Sequence, residues 1–144
     1  MILTILHPGE MGVSVAAAAI SSGHKVLWVS EGRSETTKKR ASFHKLEDIK
    51  TLSNIRESDM VFSICPPQSA VKVAKAVAET GFEGLYMDAN AGSPEKKHLI
   101  HKLLESNNID FVDGGIIGPP ANSEESTRLY VSGERCDEIK AVFT

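Results

Sequence analysis

Ile2-Leu3-Thr4-Ile5-Leu6 runs straight into His7-Pro8-Gly9-Glu10-Met11-Gly12, an alanine-rich segment follows to Ile20, and a second apolar run occupies residues 25–30. A short apolar run, a glycine-bearing turn, a segment of helical character and another apolar run read as strand, turn, helix, strand. Such a crossover aims the free N–H groups of a helix N-terminus at whatever anion lies above the first strand. A dinucleotide diphosphate is the usual occupant.

The same alternation continues along the chain. Residues 11–22 are expected as the first helix, stopped by Gly23. Residues 26–30 read as the second strand, 34–42 as a polar helix with Ser34 as N-cap, and 46–52 as a weak helix. Residues 60–65 form a compact apolar strand that ends at Pro66-Pro67. Val71, Val73, Ala74, Val77 and Ala78 recur at helical spacing within 69–80, and Gly81 closes that helix. Residues 84–88 read as a strand, and Ser93-Pro94-Glu95 opens a helix that runs to about Ser106. A strand at 109–113, a Gly/Pro-rich turn at 114–120, a last strand at 129–132 and the opening of a helix at Cys136 complete the pattern. Strands alternating with helices imply an α/β fold with a doubly wound, mostly parallel sheet of Rossmann type, in three α-β-α layers. In such sheets ligands bind beyond the carboxyl ends of the strands, where strand order reverses.

The bulk numbers narrow the function classes. The 144 residues fit one domain. A net charge of −3 argues against a nucleic-acid partner, which requires a basic face. The longest apolar-leaning segment, residues 13–20, is too short to cross a bilayer, and no signal peptide is visible, so a cytoplasmic location is expected. Cys65 and Cys136 show no metal-ligand spacing and read as reduced thiols. His24 reads as a surface residue, and His44, His98 and His101 pair with no acid or cysteine cluster, so no metal site is expected. Trp28 reads as a packing residue on the sheet face, and Asp88 and Asp113 as caps for the loops that follow them.

The turn carries the dinucleotide fingerprint with its first glycine replaced by His7. Gly9 lets the backbone approach the diphosphate, and Gly12 lets the helix pack closely on the strand. Pro8 is expected to hold His7 extended along the strand direction, at the loss of one N–H donor. The His7 ring, in the turn itself, is within reach of a phosphate oxygen. Glu31 lies where a carboxylate would bind the adenosine ribose diol, about twenty residues past the turn. Arg33 and Ser34 follow at once, and a guanidinium with a hydroxyl suits a 2′-phosphate. Lys38, Lys39 and Arg40 add positive charge behind them. The reading favours NADP, with NAD the less favoured coenzyme.

Four segments resemble the N-terminal domain of the β-hydroxyacid dehydrogenase and 6-phosphogluconate dehydrogenase superfamily, closest to its phosphogluconate-dehydrogenase-like branch. They are Gly9-Glu10-Met11-Gly12, Cys65-Pro66-Pro67-Gln68-Ser69-Ala70-Val71, Asp88-Ala89-Asn90-Ala91-Gly92-Ser93-Pro94 and Asp113-Gly114-Gly115-Ile116-Ile117-Gly118. The resemblance implies that His7, Pro8, Gly9, Glu10, Met11 and Gly12 lie along the coenzyme. It implies the same for Cys65, Pro66, Pro67 and Val71 in the proline loop and for Asn90 near the nicotinamide ribose. Gly114, Gly115, Ile116, Ile117 and Gly118 stand in the place of the family's substrate loop. Asn90-Ala91 replaces the family's hydroxyls, so an amide would do the polar work there. Ile117 replaces a serine that meets the substrate carboxylate, which points to a bulkier or less polar substrate; the alternative is that Ile117 packs into the core.

The activity so implied is hydride transfer between NADP and a hydroxy acid or related small molecule. The family's proton-accepting lysine lies on a helix beyond the nucleotide domain, and no such motif occurs here; Lys140 lacks the surrounding pattern, so no catalytic residue is assigned. The family's helical C-terminal domain, which also builds its dimer, is absent from these residues. The chain is therefore expected to be a truncated form or an isolated coenzyme domain that binds dinucleotide without turnover. Reduction of a C=N bond, as in pyrroline-carboxylate-type reductases, and a non-enzymatic NADP(H)-sensing module are the alternatives. A methyltransferase-type sheet is disfavoured by Arg33-Ser34 and Pro66-Pro67.

Overall fold

The computed structural model describes residues 1–119 and 127–143. The strand β1 (Ile2–Leu6) leads through the turn into α1 (Glu10–Ser21), then β2 (Lys25–Trp28) and α2 (Glu35–Phe43). An edge strand, β3 (Glu47–Asp48), and a 3₁₀ segment (Leu52–Glu57) precede β4 (Met60–Ser63), α3 (Ala70–Ala78) and β5 (Leu85–Asp88). The chain continues through α4 (Pro94–Glu105), β6 (Asp110–Ile117), β7 (Arg128–Ser132) and α5 (Cys136–Val142). The seven strands form one sheet in the order β3-β2-β1-β4-β5-β6-β7. All pairs are parallel except β6 with β7.

Period-two alternation divides the core between the two faces of the sheet. Leu3, Ile5, Val26, Trp28, Phe62, Met87 and Val112 pack on one side against Val15, Ala16 and Ala19 of α1, Ala41 of α2 and Ile139 and Val142 of α5. Leu6, Val61 and Tyr86 pack on the other against Ala74 and Val77 of α3 and Ile100 and Leu104 of α4. The result is the three-layer, doubly wound sheet that the alternation of strands and helices predicts. Strand order reverses between β1 and β4, which opens a crevice at their carboxyl ends. Local signals place the helix ends: Ser34 Oγ accepts from Thr37 N (3.2 Å) and Ser93 Oγ from Lys96 N (3.2 Å). Gly23 and Gly81 stop α1 and α3 in left-handed conformations (φ +91° and +85°). Among the described residues no helix is long and apolar enough to cross a membrane.

Three expectations are corrected. Residues 46–52 are not a helix. Lys45 turns left-handed (φ +64°) and Leu46 N donates back to Ala41 O (3.0 Å), which ends α2. Leu46 then packs into one core and Ile49 against the other, and residues three apart reach opposite sides only in extended chain. The turn at 114–120 is also largely strand: Gly114–Ile117 extend β6 because β7 supplies an antiparallel partner, Gly114 facing Val131 and Ile117 facing Arg128. A Cβ at Gly114 would meet Met87 Sδ at 3.0 Å, so glycine there serves strand packing; Pro120 lies outside the described residues. His7, finally, is not extended before Pro8 but left-handed (φ +58°), because the turn folds back so that Gly9 N donates to His7 O (2.7 Å).

Candidate functional site

The glycine turn sits at the reversal point of the sheet. Gly9 is the N-cap of α1 and makes no side-chain cap bond; Val13 N donates to its carbonyl (2.9 Å) to start the helix. The N–H groups of Glu10, Met11 and Gly12 have no acceptor within the helix and point outward from its positive end. A Cβ built on Gly9 meets nothing within 4 Å, so the space before those donors is open. A Cβ on Gly12 would stand 3.3 Å from His7 O and 3.5 Å from Ile5 Cγ2, so that glycine sets the close contact of α1 with β1. The two glycines thus occupy the two geometries of a dinucleotide-binding turn, and the open cradle fits a diphosphate.

A cleft of about 180 Å³ adjoins the turn, lined on its polar side by His7, Glu31 and Arg33 and on its apolar side by Val29, Leu52 and Val73. The Arg33 guanidinium reaches back across the loop after β2 to His7 Nδ1. Arg40, from α2, donates to Pro8 O (3.4 Å). Burial and the neighbouring Arg33 charge hold the His7 imidazole below its ordinary pKa. Ser34 Oγ is engaged as the α2 cap and with Thr37 Oγ1 (3.0 Å). The apolar wall, from Val29, Leu52 and Val73, is not legible as a site in the sequence, because its residues come from three separate elements and look like ordinary core.

The far end of the crevice is organised by Asn90. Its backbone N–H donates to Asp88 Oδ1 (2.8 Å), its Oδ1 accepts from Cys65 N (2.7 Å), and its Nδ2 donates to Ser63 Oγ (3.0 Å). Asn90 is buried and joins the loop after β4 to the loop after β5. Cys65 leads into Pro66 and a 3₁₀ turn at Pro67–Ser69, with Val71 half-buried on α3. Burial pushes the Cys65 thiol up.

Lys97 is the residue that sequence reasoning missed. Its ammonium lies 3.1 Å from Asp88 Oδ1, 3.1 Å from Asp88 O, 3.3 Å from Gly114 O and 2.7 Å from Asp113 Oδ1. The Asp88 side chain is fully buried and that of Lys97 is 14% exposed. Asp88 caps its own loop through Asn90 N, as expected. Asp113, inside β6, faces Lys97 and not a loop, so its expected capping role is corrected. Lys97 borders a shallow cleft of about 440 Å³ with Asn90, Gly92, Asp113 and Gly114. One signal was available: a lysine in the first turn of α4 opposes the helix dipole and calls for a compensating acid.

On the substrate-loop segment, Ile116 is half-buried against the core, and Gly115 has open space at its Cβ position. Ile117 is 65% exposed, which removes the reading that it packs into the core. Gly118 closes the segment left-handed (φ +119°), a conformation that favours glycine.

Comparison with known proteins agrees with this geometry. Residues 6–144 match the family model described as the NAD binding domain of 6-phosphogluconate dehydrogenase. An uncharacterised 28.5 kDa protein of Methanothermus fervidus, from the 7S RNA 5′ region, is 34% identical over 111 residues, which cover 76% of this chain and 42% of that protein. A conserved protein of unknown function, described as similar in structure to 3-hydroxyacid dehydrogenases, superposes at a TM-score of 0.87 with 26% identity, over 97% of this chain and 53% of its own. Mycobacterium tuberculosis 3-hydroxyisobutyrate dehydrogenase shares the fold at a TM-score of 0.84 and 21% identity, over 99% of this chain and 50% of its own. Imine reductases have the same fold over this region. The chain spans about half the length of these solved structures. With the match running from within β1 to the last residue, the chain belongs to the family of the NAD binding domain of 6-phosphogluconate dehydrogenase.

Proposed function

We propose that this chain is the coenzyme domain of an NADP-dependent oxidoreductase that moves a hydride between the nicotinamide and a hydroxy acid or a related carbonyl compound. The observation that carries the NADP assignment is Arg33, held at the carboxyl end of β2 over the cleft that adjoins the glycine turn. In this reading the N–H groups of Glu10, Met11 and Gly12 take the diphosphate across the open face of Gly9, between His7-Pro8 and α1. Val29, Leu52 and Val73 flank the adenine. Arg33 takes the 2′-phosphate beside Ser34, and Glu31 takes the remaining ribose hydroxyl.

At the other end, Cys65, Pro66, Pro67 and Val71 border the nicotinamide half, and Asn90 holds their loop at a fixed distance from β5. The nicotinamide supplies the hydride when bound. Gly114, Gly115, Ile116, Ile117 and Gly118 form the substrate side. The exposed Ile117 favours a substrate with an apolar flank, whether its reacting group is C=O or C=N. None of the described residues is assigned as the proton acceptor. The helical domain that the family joins to this one supplies that group and pairs two copies. Residues 1–144 act as one dinucleotide-binding unit, and the unpaired thiols of Cys65 and Cys136 fit a reducing, cytoplasmic setting.

Titration with NADPH and NADH tests the assignment. Arg33→Ala is expected to weaken NADPH binding by about 10- to 100-fold, the loss of one charge-assisted contact to phosphate, and to change NADH binding little. Equal affinity for both coenzymes, unaltered by the substitution, refutes it.

A further inference from the structure

His7 occupies the place of the fingerprint's first glycine with a left-handed backbone (φ +58°), a conformation uncommon for residues bearing a side chain but one that histidine adopts more readily than most. The fold places its ring against Arg33 at the polar wall of the cleft. A guanidinium can only donate, so Nδ1 is the acceptor in that contact and the imidazole is neutral, with its proton on Nε2. Burial and the Arg33 charge both favour that neutral form. The charged groups around the ring are few. Arg33 and Glu31 come from the loop after β2, Arg40 of α2 is directed to Pro8 O, and Glu10 opens α1 on its exposed side. The walls contributed by β1, the 3₁₀ segment and α3 carry no charge.

A phosphate bound by Arg33 therefore lies within reach of Nδ1. In its neutral form that nitrogen offers the phosphate a lone pair, which repels. With a proton it becomes a second cationic donor.

We propose that His7 is a second ligand of the coenzyme 2′-phosphate and a determinant of preference for NADP over NAD: as Arg33 turns from Nδ1 to the phosphate, the imidazole takes up a proton and donates to a phosphate oxygen. This rests on the reading that Arg33 meets the 2′-phosphate. Where that phosphate is missing, as in NAD, Arg33 stays on the neutral ring and no proton is bound. Preference for NADPH over NADH thus grows as pH falls toward the pKa of the ring. The second ionisation of a phosphate monoester, at about 6, acts the other way, because Arg33 favours the dianion and expels its proton. Substitution at His7 separates the two contributions.

Calorimetric titration of the full chain near neutral pH, in two buffers of different ionisation enthalpy, counts the protons exchanged. NADPH binding to the native protein is expected to take up more protons than NADH binding. His7→Asn and His7→Gly both tolerate the left-handed backbone and keep the turn folded. In both, the extra uptake with NADPH disappears, and the ratio of NADPH to NADH affinity at pH 6 falls by about tenfold, the share of one charge-assisted hydrogen bond. Equal proton exchange for NADPH in the native protein and both variants overturns the proposal while coenzyme binding stands. Failure of the native protein to bind either coenzyme overturns the underlying assignment as well.

Discussion

Gly9→Val is expected to abolish coenzyme binding while the protein melts within a few degrees of the native chain. The backbone at Gly9 (φ −75°, ψ −167°) is an ordinary extended conformation for a β-branched residue, and a Cβ there meets nothing within 4 Å. Loss of N-cap quality costs about 1 kcal/mol or less. The same atoms fill the space in front of the α1 N–H groups, where a diphosphate would lie. Displacing it from two of those donors removes roughly 3 kcal/mol or more, over a hundredfold in affinity. Fluorescence titration with NADPH and a thermal melt on one preparation read both quantities. Native affinity in Gly9→Val would place the diphosphate elsewhere and remove the basis for the coenzyme assignment.

The second large effect concerns stability. Lys97→Met leaves the Asp88 carboxylate fully buried with only Asn90 N as partner among the described residues, where its Oδ2 has no hydrogen bond. Removing one member of a buried ion pair typically costs about 3–5 kcal/mol. For a domain of this size the lower figure corresponds to a fall in Tm of about 10 °C. Asp88→Asn in the same chain removes the stranded charge and keeps an acceptor for Asn90 N, so the double variant recovers most of the loss. Urea unfolding of the native protein, both single variants and the double variant completes the cycle. A loss below about 1 kcal/mol for Lys97→Met would mean that water reaches this pair in solution, and that Lys97 does not clamp α4 to the carboxyl end of β5 and to β6.

Both predictions sit at places that the sequence shows unequally. Gly9 and Gly12 are legible because a turn between a strand and a helix is written within six residues, and the spacing alone tells which glycine borders open space and which faces the strand. Ser34 and Ser93 are legible for the same reason: a cap bonds a backbone three residues away. Lys97 is not, since its partners are nine, sixteen and seventeen residues distant and belong to two other strands. The segment 114–117 misleads because glycines signal a turn when the antiparallel partner, β7, is not in view. The helix expected at 46–52 fails likewise. Leu46 and Ile49 fit a helical face by spacing, but the two cores on either side of the sheet edge pull them apart. The replacement of a glycine by His7 is visible in the sequence; that its ring meets Arg33, twenty-six residues on, is not.

By itself, then, the sequence determined what short-range physics controls: most of the strands and helices, their caps and stops, and the glycine turn between β1 and α1. These follow from hydrogen bonds and side-chain periodicity that close within one or two turns of chain. Only the tertiary structure decided the register of β6 on β7, the Lys97 clamp, the apolar wall of the cleft and the contact between His7 and Arg33. Each joins residues far apart in the chain, and such pairs are selected by which faces the packed sheet buries together, a property of the whole assembly that no local stretch contains.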